Sequence, residues 1–174
     1  KYAYNNIVFL IDVSTSMRND DKLPLLKHSM RKMIEVLRAE DRVTIITYST
    51  DAIVVADRVS GDQKQELIDL VESLEAKGQS YGQQGVNLAY DKAKEHFIEG
   101  GNNEIILASD GVFNSRNFSE SRLYRRASLQ NTLYDVRIST IGFGTSRKAL
   151  VFLEALANKG KGSFIVIESR DEAD

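Results

Sequence analysis

Asn6-Ile7-Val8-Phe9-Leu10-Ile11-Asp12-Val13-Ser14-Thr15-Ser16-Met17 is the stretch on which the reading turns. An unbroken apolar run ends in one carboxylate, and two hydroxyls follow at steps of two. Strands buried on both faces have this continuous rather than alternating pattern, so the run predicts a central strand that delivers oxygen atoms to its C-terminal tip. Glu104-Ile105-Ile106-Leu107-Ala108-Ser109-Asp110-Gly111 repeats the logic: a second wholly apolar strand, an acid at its end, then a loop. No fixed-period repeat accompanies it.

Working outward, Leu25, Leu26, Met30, Met33, Ile34 and Leu37 recur at helical spacing behind Pro24, which the first turn of a helix tolerates; a helix is expected over about Lys22 to Arg38. Arg42 to Ser49 and Ala52 to Val59 read as strands joined by Ser49-Thr50-Asp51. A turn that short implies an antiparallel pair, with the third strand reversed at an edge. A second helix opens at Gly61-Asp62 and stops near Lys77-Gly78. A third carries Val86, Leu88, Ala89, Ala93 and Phe97 before the Gly100-Gly101-Asn102-Asn103 break. Beyond the second apolar strand, a helix from about Glu120 to Leu133, a strand over Val136 to Phe143, a helix over Ser146 to Asn158 and a strand over Ser163 to Glu168 follow. Strands alternating with helices define an α/β fold with a mostly parallel sheet, right-handed crossovers and helices on both faces.

Composition narrows the function. At 174 residues the chain suits one domain, and no linker divides it. Twenty-three Lys plus Arg against twenty-five Asp plus Glu leave a net charge of −2, which offers no electrostatic footprint for nucleic acid. No apolar run reaches the ~20 residues of a membrane helix, so no membrane insertion is expected. The absence of cysteine excludes disulfides, thiolate metal sites and cysteine nucleophiles. A chain beginning Lys1-Tyr2-Ala3-Tyr4 reads as a domain excised from a longer protein.

Asp12-x-Ser14-x-Ser16, a hydroxyl in the Gly78-to-Gly82 loop, and Asp110-Gly111 after a buried strand together resemble the von Willebrand factor type A domain and its metal-ion-dependent adhesion site. The resemblance spans essentially the whole chain, residues 1–174, as a single domain. Lys22-Leu23-Pro24-Leu25-Leu26-Lys27, Asp41-Arg42-Val43, Tyr48, Leu88-Ala89-Tyr90 and Ile141-Gly142-Phe143-Gly144 look like its bacterial branch, often labelled calcium-activated chloride channel homologues. Nothing in the sequence could form a pore, so that label is a poor guide. The resemblance implies a Rossmann-like, doubly wound sheet of about six strands in the order 3-2-1-4-5-6. That order brings Asp12 and Asp110 to the crevice at the carboxyl ends of strands one and four, where such sheets bind ligands.

By the same resemblance, Ser14 and Ser16 ligate a divalent cation directly, Asp12 and Asp110 act through bound water, and Ser80 joins when a partner engages. The family usually has Thr at that last position; Ser80 keeps the hydroxyl and loses the methyl that stiffens χ1. Oxygen donors with few carboxylates suit Mg²⁺, with Mn²⁺ and Ca²⁺ left open. Neutral direct ligands leave the ion positive enough for an acidic residue of a protein partner to complete its sphere. The implied function is therefore a non-enzymatic, metal-dependent protein-binding module, in a setting for which the family favours the cell surface or periplasm. The same hydroxyls and acids in a metal-free descendant would be turn and cap formers.

The runner-up is a magnesium-dependent phosphoryl-transfer enzyme of the haloacid-dehalogenase kind. It needs a second carboxylate two residues after the first, where Ser14 stands instead. Other candidates stay open at this level. His28 and His96 read as surface histidines away from the strand tips. Asp20 and Asp21 could hold a second ion or simply be solvated. Arg116, Arg122, Arg125 and Arg126 could steer an acidic partner or form a solvated helix face. Tyr81, Val112 and Phe113 could rim the site, or Phe113 could be buried beneath the loop.

Overall fold

The computed structural model describes residues 2–114, 118–144 and 146–173. Six strands, β1 (Asn5–Asp12), β2 (Arg42–Tyr48), β3 (Ala52–Ser60), β4 (Asn102–Ser109), β5 (Arg137–Phe143) and β6 (Lys161–Ile167), form one sheet in the order β3-β2-β1-β4-β5-β6. Every neighbouring pair is parallel except β2–β3. The expected fold, strand order and reversed edge strand are all present.

Six α-helices lie among the described residues: α1 (Leu23–Glu35), α2 (Lys64–Glu72), α3 (Gly82–Glu95), α4 (Glu120–Tyr134), α5 (Arg147–Lys159) and the short α6 (Arg170–Ala173). Strand periodicity assigns the layers. Val8 and Leu10 of β1 join Val86, Ala89, Leu123, Phe152 and Leu156 in a core beneath α3, α4 and α5. Phe9 and Ile11 point the other way, to Leu26, Met30, Ile34, Leu67 and Val71 of α1 and α2. Because β1 is buried on both faces, its register is fixed against β2 and β4 at once, with Asp12 opposite Tyr48 and Ile11 opposite Ala108.

Three helices stop earlier than their periodicity suggests; α3 ends at Glu95, and Phe97, expected on it, lies beyond it and is exposed. α1 ends at Glu35 because Arg38 turns back: its backbone N–H and guanidinium bind the buried Asp41 carboxylate at 2.8 and 2.7 Å. α2 ends at Glu72, not near Gly78, because the backbone beyond it is used at the tip of β1. Lys77 N–H donates to Val13 O at 2.8 Å, and Thr15 N–H donates to Gly78 O at 3.0 Å. Leu74, expected on the helix, still packs against the α1–α2 core. The last helix, α6, carries too few apolar residues for periodicity to reveal it.

Gly85 of α3 faces Tyr48 and Leu10. A Cβ there would lie 2.9 Å from the Tyr48 ring and 3.0 Å from Leu10 Cδ1, and Tyr48 is fully buried. Replacing a mid-helix Gly by Ala ordinarily stabilises by about 1 kcal/mol, whereas overpacking a closed core costs about 1–3 kcal/mol. Gly85→Ala is therefore expected to lower the urea midpoint, with the m-value unchanged; a raised midpoint contradicts this close approach of helix to sheet.

Candidate metal centre

Asp12 ends β1 with no solvent exposure, and both carboxylate oxygens are held. Oδ1 accepts the Ser14 N–H at 2.9 Å, a local turn that redirects the chain as it leaves the sheet. Ser14 stays extended, and a single 3-10 turn, Thr15–Met17, follows, pinned by the fully buried Met17. The outcome is that the Ser14 and Ser16 hydroxyls lie 3.0 Å apart. Ser14 is buried, and Ser16 opens to solvent.

Oδ2 of Asp12 accepts from Ser109 Oγ at 2.9 Å. Ser109, the last residue of β4, is itself fully buried and receives the Tyr48 hydroxyl at 3.1 Å and the Gly111 N–H at 2.9 Å. One hydroxyl thus joins the ends of β1, β2 and β4. The reading of the sequence passed over Ser109. Its signal is a hydroxyl as the last strand residue before an Asp-Gly turn, but its partner Asp12 is 97 positions away.

Asp110 is 2% exposed; Oδ1 accepts the Val112 N–H at 3.1 Å, and Oδ2 faces Lys22 Nζ at 3.2 Å. Gly111 then takes φ +78°, a conformation that favours glycine, and a Cβ there would be 2.7 Å from that of Ala149. Ser80 is buried, with its hydroxyl donating to Val112 O and its carbonyl accepting the Asn114 N–H at 2.7 Å. The α2–α3 loop is in this way latched to the Asp110 loop, and Lys77 and Gly78 latch it to the tip of β1.

Asp12, Ser14 and Ser16 are brought together by direct hydrogen bonds, and Asp110 and Ser80 are linked through the Val112 backbone, its N–H to Asp110 and its carbonyl to Ser80. The Asp12 and Asp110 charges act on each other. Burial raises the Asp12 carboxyl, the hydrogen bonds from Ser14 lower it and the Asp110 charge raises it again, and the balance stands at about 6. Burial, reinforced by the Asp12 charge, holds the Tyr48 phenol well above its usual range. Among the described residues no group of three or more His, Cys, Asp or Glu converges as a metal-ligating cluster. The donors here are instead two carboxylates and three hydroxyls. These all-oxygen, mostly neutral donors, beside a buried carboxylate that is costly to ionise, fit a hard divalent cation rather than a soft one.

The remaining candidates separate cleanly. Phe113 is buried beneath its loop, edge-on to Tyr48, Phe118 and Phe152 at ring separations of 5.6, 5.4 and 5.1 Å. Gly82 makes room for it, since a Cβ there would be 2.5 Å from the ring. Val112 is exposed and Tyr81 half-buried. Arg122 and Arg125 are exposed on α4, Arg126 lies over the Tyr90 ring, and Arg116 lies outside the described residues. Asp20 and Asp21 are exposed in the loop before α1. His96 Nε2 is 2.7 Å from Asp57 Oδ1, tying α3 to the edge strand, and His28 is half-buried on α1.

Residues 7–112 match the von Willebrand factor type A domain, and the chain belongs to that family, whose members are protein-interaction modules typically without enzymatic activity. It is 35% identical to the Escherichia coli protein YfbK over 169 residues, 97% of this chain and 29% of that protein. The chain spans only 29% and 39% of the two curated relatives it matches. An aerotolerance-related membrane protein from Bacteroides fragilis shares the fold at 17% identity and a TM-score of 0.77, covering 97% of this chain and 94% of its own. Proximal thread matrix protein 1 from the mussel byssus, solved with its adhesion-site motif occupied by zinc, superposes with a TM-score of 0.71 at 19% identity, over 98% of this chain and 43% of its own. Both likenesses concern the fold.

The Asp12 shift makes a prediction with a definite sign. Its folded value lies above the ordinary 3.8, so the folded state holds the proton more tightly than the unfolded one, and stability due to this group falls as pH rises from about 4 to about 6. In chelator, the stability of the wild type minus that of Asp12→Asn should fall by about 2 kcal/mol between pH 4 and 7, whatever its absolute value. Urea denaturation at several pH values measures this, and a flat difference contradicts the costly buried charge.

Proposed function

We propose that this domain is a metal-dependent protein-binding module. Asp12, Ser14, Ser16, Ser80 and Asp110 hold a divalent cation, Mg²⁺ in the first instance and Mn²⁺ or Ca²⁺ as alternatives. The bound ion supplies a Lewis-acidic position for a carboxylate, and an Asp or Glu of a protein partner occupies it. The observation that carries this reading is the pair of hydroxyls, Ser14 and Ser16, 3.0 Å apart at the tip of β1 above an Asp12 whose two oxygens are both fixed by protein donors.

The protein's own part is positioning. Asp12 is oriented by donors on both oxygens, the Ser14 N–H and the Ser109 hydroxyl. Exposure of Ser16 and Val112 gives a partner side chain an approach from solvent. Phosphoryl transfer is poorly served, because an acid/base carboxylate two residues after Asp12 is replaced by a hydroxyl that points at Ser16. The domain is read as one part of a longer protein, in keeping with its share of the relatives' length.

An ion that binds only the folded state stabilises it by mass action, by about 2.7 kcal/mol at a hundredfold excess over Kd. For a domain of this size that is about 5–10 °C in Tm. Mg²⁺ is expected to raise the Tm of the wild type by this order, reversibly with EDTA, and to leave Asp12→Ala and Ser14→Ala unmoved. An equal shift in all three proteins, or none in the wild type, sinks the reading.

A further inference from the structure

Lys22 is fixed at both ends of its reach. Its N–H donates to Asn19 O at 2.9 Å and its carbonyl accepts the Leu26 N–H at 2.8 Å, which anchors the backbone where α1 begins. The side chain is only 16% exposed. Its stem lies against Gly144 in the β5–α5 loop, where a Cβ would be 2.9 Å from both Lys22 Cγ and Cε. Packing therefore aims the ammonium, which ends 3.2 Å from Oδ2 of the buried Asp110. Exposed lysine pairs of this kind contribute little, because solvent screens them and the long side chain must be ordered. Here the ordering comes from packing, and one partner is buried.

This contact matters for the ion. Asp12 and Asp110 bring two negative charges to the strand tips, and Lys22 balances one of them before any ion arrives. A divalent cation that uses Asp110 must share that carboxylate with the ammonium, and it meets a like charge beside it. We propose that Lys22 is a built-in counter-cation that sets the divalent affinity of this site, holding it weaker than its oxygen donors alone would make it. The proposal rests on the metal-site reading given above.

The experiment is a Mg²⁺ titration of the whole domain, by calorimetry and by Tm, on the wild type and on Lys22→Met, Lys22→Gln and Lys22→Arg. Removing the charge is expected to tighten Mg²⁺ binding roughly tenfold in the Met and Gln variants, while Arg stays near the wild type. Gln retains a donor for Asp110, and Arg retains the charge, so a variant that folds poorly is covered by another. If the uncharged variants lose stability but keep the wild-type Mg²⁺ midpoint, Lys22 is merely structural and the inference is overturned. No Mg²⁺ response in the wild type overturns the metal-site reading itself.

Discussion

Burying a carboxylate without compensation is among the more expensive things a small domain can do. Asp12 is buried completely at the end of a strand that is itself walled in on both faces. The protein answers with donors: the Ser14 N–H to one oxygen and the Ser109 hydroxyl to the other, the latter receiving Tyr48 and Gly111 in turn. Each donor belongs to a different segment. Satisfying this single side chain therefore aligns the ends of β1, β2 and β4 and shapes the turn that presents Ser14 and Ser16. The compensation is incomplete, since burial still lifts the Asp12 carboxyl to about 6.

The second acid is treated differently. Asp110 has one oxygen on the Val112 N–H and the other on the ammonium of Lys22, so its charge is met by a charge rather than by neutral donors. Around it, Ser80 reaches to the Val112 carbonyl, and the whole α2–α3 loop is tied back to β1 through Lys77 and Gly78. Three loops from distant parts of the sequence are locked at one end of the sheet, and Phe113 closes the floor beneath them. Ser16 and Val112 are among the loop residues that open to solvent there.

Much of this architecture is legible in the sequence because central parallel strands are solid apolar runs, and the runs ending at Asp12 and Asp110 are hard to read otherwise. The short turn at Ser49–Asp51 likewise dictates the reversed edge strand. What periodicity misses are features decided across the chain. Ser109 matters only because Asp12 lies beside it, and Lys22 only because Asp110 does, at separations of 97 and 88 residues. α2 looks longer in sequence than in space because the backbone after Glu72 finds better partners at the β1 tip than in another helical turn. Sequence alone leaves Phe113 between rim and floor, because the pocket it fills depends on the missing side chain at Gly82. Fold and family place the chain among domains that generally mediate protein interactions; the use of an ion is argued from the site, because a shared fold alone does not carry a function.

The central claim is that the hydroxyls at the tip of β1 are direct ligands of a cation. A crystal grown with Mg²⁺ and solved at high resolution tests it without reference to any partner. Direct ligation predicts a six-coordinate ion about 2.1 Å from both Ser14 Oγ and Ser16 Oγ, with Asp12 keeping its hydrogen bonds to the Ser14 N–H and Ser109 Oγ. Clear density for both serines with only their mutual hydrogen bond and ordinary water between the strand tips, at saturating Mg²⁺, would contradict it.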